Sequence, residues 1–427
     1  MDYKKKYLKY KLKYLNIRKL YGGAESSVSR IEQELFDAVK IGDSRSVKKL
    51  LKRGVNINVR CDNGFTPLMY AAIKGHTIVV IQLLNKKANI NIQNEQGYTA
   101  LILATIYNKP KVVRLLLKSD FSSWIYHDFK EGYTALMWGA SLGHYEIVNV
   151  LLNHEHDINS VSNNSFTALI LASYNGHDRI VKLLLDYKAD ITIKDLEGNT
   201  ALIWATMYGY DKIVKLLLEN GADINDSSYV GYTALMWAVG DENNMMIELL
   251  LDNGANIDMQ DQDGESALHH AIKKENIDVV ELLMNRGADL NVQDSQGLTP
   301  LMLVAYKRDI FMLNILYNNI NRPNSTLRDI DGLTALMVAV IESMESAENL
   351  NKNELSYKDL SFINELIRFS RGPEEESLQN LLAIVDNNGE TVRDYVHDWE
   401  QNNPPIAINF NPDDVPFFER MNNIASV

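Results

Sequence analysis

A short motif, G-x-T-[AP]-L or a close variant, returns nine times, with its hydroxyl residue at Thr66, Thr99, Thr134, Thr167, Thr200, Thr233, Ser266, Thr299 and Thr334. The steps are 33 residues, except for 35 from Thr99 to Thr134 and from Thr299 to Thr334. A period near 33 describes one supersecondary unit that cannot bury its apolar face alone and must stack on its neighbours. Such a chain grows by addition, and its work is done on a surface rather than in an enclosed pocket.

Residues Asp263 to Asp294 show how one period is built. Asp263-Gly264 opens a turn, where glycine accepts positive φ and aspartate can bond its own backbone. Ser266 stands where a hydroxyl caps a first helix. Ala267, Leu268, Ala271 and Ile272 then come at helical spacing, with Val279, Val280, Leu282 and Leu283 on the core face of a second helix. Gly287 is placed to end that helix. The expected fold is therefore all-α: a solenoid of stacked helix-turn-helix units joined by hairpin loops.

These residues resemble the ankyrin repeat, most closely at Asn63-Gly64-Phe65-Thr66-Pro67-Leu68 with Gly75-His76, and at Gly221-Ala222-Asp223-Ile224-Asn225. The resemblance runs from about residue 30 to residue 340. It departs from the family pattern in two ways. Proline opens the first helix only at Pro67 and Pro300, with alanine elsewhere. The family's histidine survives only at His269 and is otherwise replaced by Met69, Ile102, Met137, Ile170, Ile203, Met236, Met302 and Met337. Its hydrogen bonds are then expected to give way to packing.

The chain divides into four regions: a basic amphipathic segment over 1–23, an N-terminal capping repeat over 24–60, about nine repeats over 61–340, and a divergent repeat, C-terminal cap and acidic tail over 341–427. Ser29-x-x-Glu32 reads as a capping box for the first of these helices. After Thr334 the next match, Asp386 to Thr391, comes 57 residues on, with Asp359 to Phe369 as a delayed second helix and Leu378–Val385 with Val392–Trp399 as a degenerate cap. The segments Ser119–Lys130 and Asn318–Asp329 are two residues over length, which implies bends or protruding loops.

Charge is uneven. Residues 1–21 carry eight Lys or Arg against Asp2, a formal +7, which leaves −20 for the remainder of a chain whose total is −13. An acidic body excludes nucleic acid along the solenoid, because phosphate contact needs clustered Lys and Arg. Tyr3, Tyr7, Tyr10, Tyr14, Ile17 and Tyr21 form one stripe of the basic segment, which stops at Gly22-Gly23 and suits an anionic surface. It resembles the N-terminal K-Y-L-K-Y segment of Mimivirus-like giant-virus proteins, so the chain looks like the ankyrin repeat proteins of such viruses. That likeness implies an address or assembly tag, and a place in the infected host cytoplasm or the virion. A frayed helix without a partner is the alternative.

No phosphate loop, H-E-x-x-H or paired C-x-x-C occurs, one cysteine excludes an internal disulfide framework, and no apolar run is long enough to span a membrane. No enzyme, no cofactor, no catalytic residue and no metal site is expected, and the chain reads as an intracellular monomer. His76, His144 and His177 occupy the repeat's own G-H position and read as structural; His154-Glu155-His156-Asp157 is a weak candidate for a metal.

The family resemblance places partner contacts on the concave face, at the residue before each threonine and just before the G-H turn. The candidates for protein binding are Phe65, Tyr98, Tyr133, Phe166 and Tyr232 in the first set, with Tyr107, Tyr174 and Tyr208 in the second. Aromatic side chains make good interface anchors; the alternative is that each ring packs on its neighbouring hairpin. Tyr70, Trp138, Trp204 and Trp237, four residues after their threonines, read as core. The expectation is a non-enzymatic scaffold for a host or viral protein. A second reading is a substrate adaptor for a ubiquitin ligase, acting through the C-terminal segment Pro404–Glu419.

Overall fold

The structure, a computed structural model, describes residues 29–119, 128, 130–154, 157–318, 321–349, 357–370, 383–395 and 397. The basic segment 1–23, most of Ser119–Lys130, Glu155 and His156, and the C-terminal segment 404–419 lie outside the described residues. The chain divides at Asp190/Ile191 into two compact units.

Both units are built from antiparallel helix pairs. In the first, the pairs begin at Arg30–Ile41 with Ser44–Lys52 and continue through Pro67–Lys74 with Thr77–Asn85 to Ala168–Tyr174 with Asp178–Asp186. The second runs from Ala201–Met207 with Asp211–Glu219 to Ala335–Asn349 with Tyr357–Ser370. Among the described residues there is no sheet, only isolated bridges such as Ser227 to Thr233 across a hairpin neck. This is the expected all-α repeat solenoid architecture.

Each first helix starts where the hydroxyl residue stops the extended chain. The oxygens of Thr66, Thr99, Thr134, Thr167, Thr200, Thr233, Thr299 and Thr334 accept the N–H three residues on, at 3.1–3.4 Å. Each such cap contributes about 1 kcal/mol. At the first described helix, Glu32 accepts from both the backbone and the hydroxyl of Ser29. The apolar faces are fully buried: Leu68, Ala71, Ala72, Val80 and Leu83 in one pair, and Leu235, Ala238, Ile247 and Leu250 in another. Burying one Leu, Ile or Val contributes roughly 1.5–3 kcal/mol, while the alanines let the paired helices approach.

The hairpins join repeat to repeat through the backbone. Tyr229 N–H donates to the Glu197 carbonyl, Gln262 to Val230, Ser295 to Asp263, Ile330 to Gln296 and Asn387 to Asp331. The 57-residue gap is therefore bridged: the hairpin at 385–391 docks on its predecessor as any other does. Its repeat is stretched by a 15-residue first helix, Ala335–Asn349, and by a second helix, Tyr357–Ser370. The longer connection before Thr334 also keeps its register, since Asn324 N–H still reaches Asn291 Oδ1 at 2.7 Å.

In the second unit, close hairpin approach relies on the glycine two residues before the hydroxyl. At Gly231 φ is +83° and an added Cβ would stand 2.6 Å from Asp261 Cα. Gly231→Ala is thus expected to cost about 3 kcal/mol or more. Gly254→Ala, at φ +87° with nothing within 4 Å, should cost only the left-handed backbone penalty of about 1–2 kcal/mol. Urea unfolding of the two variants checks the difference.

Candidate binding surface

The hairpin is organised by one side chain, usually five residues before the hydroxyl. Asp195 Oδ1 accepts the N–H groups of Glu197 and Asn199, Asp261 Oδ1 those of Asp263 and Glu265, and Asp294 Oδ1 those of Gln296 and Leu298. Asn94 and Ser162 serve in the same way with an amide and a hydroxyl oxygen. The turn expected at Asp263-Gly264 does form, with Gly264 at φ +75°. The bonding carboxylate, however, is Asp261, because only an acceptor at the start of the loop can reach both N–H groups.

The remaining oxygen of this carboxylate takes a ring donor from the first helix. Trp138 Nε1–H donates to Asp128 at 2.9 Å, Trp204 Nε1–H to Asp195 at 2.7 Å, and the Tyr395 hydroxyl to Asp386 at 2.6 Å. Tyr70 Oη stands 3.7 Å from Cys61 Sγ in the same arrangement. Trp138 and Trp204 thus clamp the hairpin to the helix as well as filling the core, whereas Tyr70 and Trp237, also expected in the core, are half-buried.

The predicted contact residues divide on this frame. Phe65, Tyr98 and Tyr133 are only 7%, 6% and 5% exposed. Phe65 packs on Tyr70 with ring centres 5.4 Å apart, and Tyr133 on Trp138 at 5.2 Å; Tyr98 meets Trp138 of the next repeat at 6.2 Å. Burial, the larger influence, and Asp128 push the Tyr98 phenol far above its usual range, so it stays protonated. Phe166, Tyr107 and Tyr174 in the first unit, and Tyr208 and Tyr232 in the second, are half-buried. Tyr208 stacks between Trp204 and Tyr210, with centres 6.1 and 6.2 Å away. Tyr232 packs on Trp237 at 5.3 Å and on His270 of the next repeat at 5.0 Å.

Two features were not anticipated from the sequence. At the hairpin tips of the second unit, Leu196, Tyr229 and Val230 are 58%, 61% and 53% exposed. The available signal was apolar residues at tip positions where neighbouring loops carry Gln262, Asp263, Ser295 and Gln296. The other feature is the group Asp261, Glu265 and His270, whose potential ligand atoms all lie within 4.8 Å of one another. Its signal was a glutamate before Ser266 together with a histidine four residues after it.

His76, His144, His177 and His269 each bond a neighbouring repeat. His76 Nε2 reaches the Lys40 carbonyl at 3.2 Å, His144 that of Ile106 at 3.4 Å and His177 that of Ser141 at 3.1 Å, each tying a repeat to its predecessor. His269 Nδ1 accepts from Ser266 N–H, which leaves Nε2–H to donate to the Leu298 carbonyl at 3.1 Å. Where methionine replaces this histidine, the sulfur retains part of the role: Met69, Met302 and Met337 Sδ lie 3.4 Å from the capping threonine N–H. The replacement is packing plus a weak acceptor, rather than packing alone. In the His154–Asp157 group, His154 Nδ1 is engaged by the Val150 carbonyl at 2.8 Å.

A family model described as ankyrin repeats (3 copies) matches residues 35–126, 136–228 and 225–294. No curated protein matches the chain significantly. Among the described residues, no helix is long and apolar enough to cross a membrane.

The clamps and the histidine bonds have measurable consequences. Trp204→Phe keeps an aromatic ring, though a smaller one, and leaves the buried Asp195 oxygen without this donor; it should cost about 1–3 kcal/mol or more in chemical denaturation. Burial, the larger influence, holds His144 and His177 below the ordinary imidazole range, against the bonds to Ile106 and Ser141 that raise them. The unfolded chain therefore binds these protons first, so the stability they supply is complete above about pH 6.5 and is lost as pH falls below it. The denaturation midpoint should fall between about pH 7 and pH 5, and less steeply in His177→Asn.

Proposed function

The chain belongs to the ankyrin-repeat family, and from that premise we propose that it is a non-enzymatic scaffold that captures a protein partner on its first-helix and hairpin side. The observation that carries this reading is the apolar surface at the second unit's hairpins, where Leu196, Tyr229 and Val230 stand largely in solvent beside half-buried Tyr232. Large apolar side chains held on a rigid frame have little entropy to lose on binding and supply most of an interface's energy. Tyr208 extends this surface in the same unit, while Phe166, Tyr107 and Tyr174 offer a comparable one in the first. Phe65, Tyr98 and Tyr133 act beneath it as a packed floor.

The partner is a host or viral protein in this reading, which rests on the giant-virus character of residues 1–23. That segment supplies an address to an anionic surface, and the scaffold works in the infected cytoplasm or the virion. Nucleic acid is not its ligand along the second unit's repeats, where residues 191–340 carry 22 Asp or Glu against 10 Lys or Arg.

The full chain used as bait, with a Leu196→Ser/Tyr229→Ser/Val230→Ser variant beside it, tests the surface. Loss of three exposed anchors should weaken capture by tenfold or more, about 1.4 kcal/mol or above, with an unchanged unfolding temperature. Equal capture by both chains would remove this surface from consideration. Tyr98→Ala is the contrasting case: it should cost about 3–5 kcal/mol of stability, measured by denaturation, because its ring is in the floor.

A further inference from the structure

We propose that Asp261, Glu265 and His270 bind a divalent transition-metal ion of zinc's ligand preference. Oxygen and imidazole donors in a set of three, with a position left for water or a partner's side chain, suit such an ion. Around a tetrahedral ion with bonds of about 2.0–2.2 Å, ligand atoms stand about 3.4 Å apart, so atoms now within 4.8 Å need to close by at most about 1.4 Å.

The repeat register sets this group apart. Among the nine threonine-type repeats, the residue before the hydroxyl is aromatic, leucine or asparagine except at Glu265, and the residue four after it is aromatic or aliphatic except at His270. Both departures fall in one repeat and face the hairpin carboxylate. At Asp128, Asp195 and Asp386 that carboxylate meets a ring with a single donor. Here the imidazole lies between two carboxylates, with Nε2 at 2.9 Å from Asp261 and Nδ1 at 3.5 Å from Glu265.

A neutral imidazole has one N–H and can serve only one of them. The Asp261 and Glu265 side chains are 2% and 11% exposed, so their two negative charges sit largely out of water. Lys273, 44% exposed, answers one oxygen of Glu265 and leaves the other facing His270. A metal ion would balance the remaining charge and add bonds to all three groups. One of the three ligands is already held in place. Asp261 Oδ1 is held by the N–H groups of Asp263 and Glu265, which aims Oδ2 at His270. Fixed outer bonds of this kind are what orient metal ligands. On binding, the imidazole nitrogen offers its lone pair to the ion and any proton on it passes to water, so uptake weakens in acid.

Zn2+ titration by calorimetry and Co2+ absorption spectroscopy on the full chain test this, with Glu265→Gln, His270→Gln and Lys273→Gln alongside. Glutamine at 270 retains an N–H for Asp261, so the clamp survives while the nitrogen ligand is lost. The expected result is one ion bound with visible Co2+ ligand-field bands, affinity lowered at least about tenfold by either ligand substitution, and tighter binding in Lys273→Gln, where the competing ammonium is gone. Equal affinity in the parent chain and Glu265→Gln overturns the proposal, as does no binding by any of them.

Discussion

The structure depends on the side chain that organises each hairpin. A carboxylate, amide or hydroxyl near the start of the loop takes up two loop N–H groups, as Asp294 does for Gln296 and Leu298. That turn sets the loop's shape, and the shape lets the next hairpin's N–H donate to it, as Ser295 does to Asp263. At Gly198, Gly231, Gly264, Gly297 and Gly332 glycine permits this approach, because a Cβ there would stand within 3 Å of the next hairpin's backbone; Ser165 holds the same place in another hairpin at φ +58°. A cross-linked hairpin then fixes where the capping hydroxyl stands, and with it the start of every first helix.

The same hairpin divides aromatic side chains between support and surface. Trp138 and Trp204 give their N–H to the loop carboxylate and their faces to the core, so their polar and apolar parts are both satisfied. Phe65, Tyr98 and Tyr133 lean against such rings and are covered by them. Tyr208 and Tyr232 lean the same way yet keep part of their area in solvent, and Tyr229 at the loop tip keeps most of it. A surface made this way is already rigid before anything binds, which is the property that a recognition scaffold requires.

Much of this was legible in the chain. Thr66 to Thr334 marked the helix starts because a hydroxyl cap is a local interaction, decided within three residues. His76, His144 and His177 were readable as structural from their place in the repeat, and each bonds the preceding repeat's carbonyl. Less was legible where the outcome depends on a neighbour. Tyr98 and Tyr232 hold the same register position, but Tyr98 is covered by Trp138 while Tyr232 meets the smaller His270 and stays half-open. The role of Asp261 was hidden by Asp263, because both are aspartates in the same loop and only the folded turn distinguishes them. The 57-residue gap after Thr334 shows the same limit. Asp386 to Thr391 carried the motif, yet distance along the chain did not tell whether it belonged to the stack. The bond from Asn387 to Asp331 places it there, and the long helix Ala335–Asn349 takes up part of the extra length.

Sequence alone determined the period, the helix starts, the family and the acidic character of the later repeats, since these are carried by composition and by contacts within a few residues. Tertiary structure decided which aromatics are buried, which loop carboxylate closes each hairpin, and that Asp261, Glu265 and His270 converge. Those outcomes are set by residues a full repeat apart, or by loop geometry, whose separation in space exists only once the repeats have stacked.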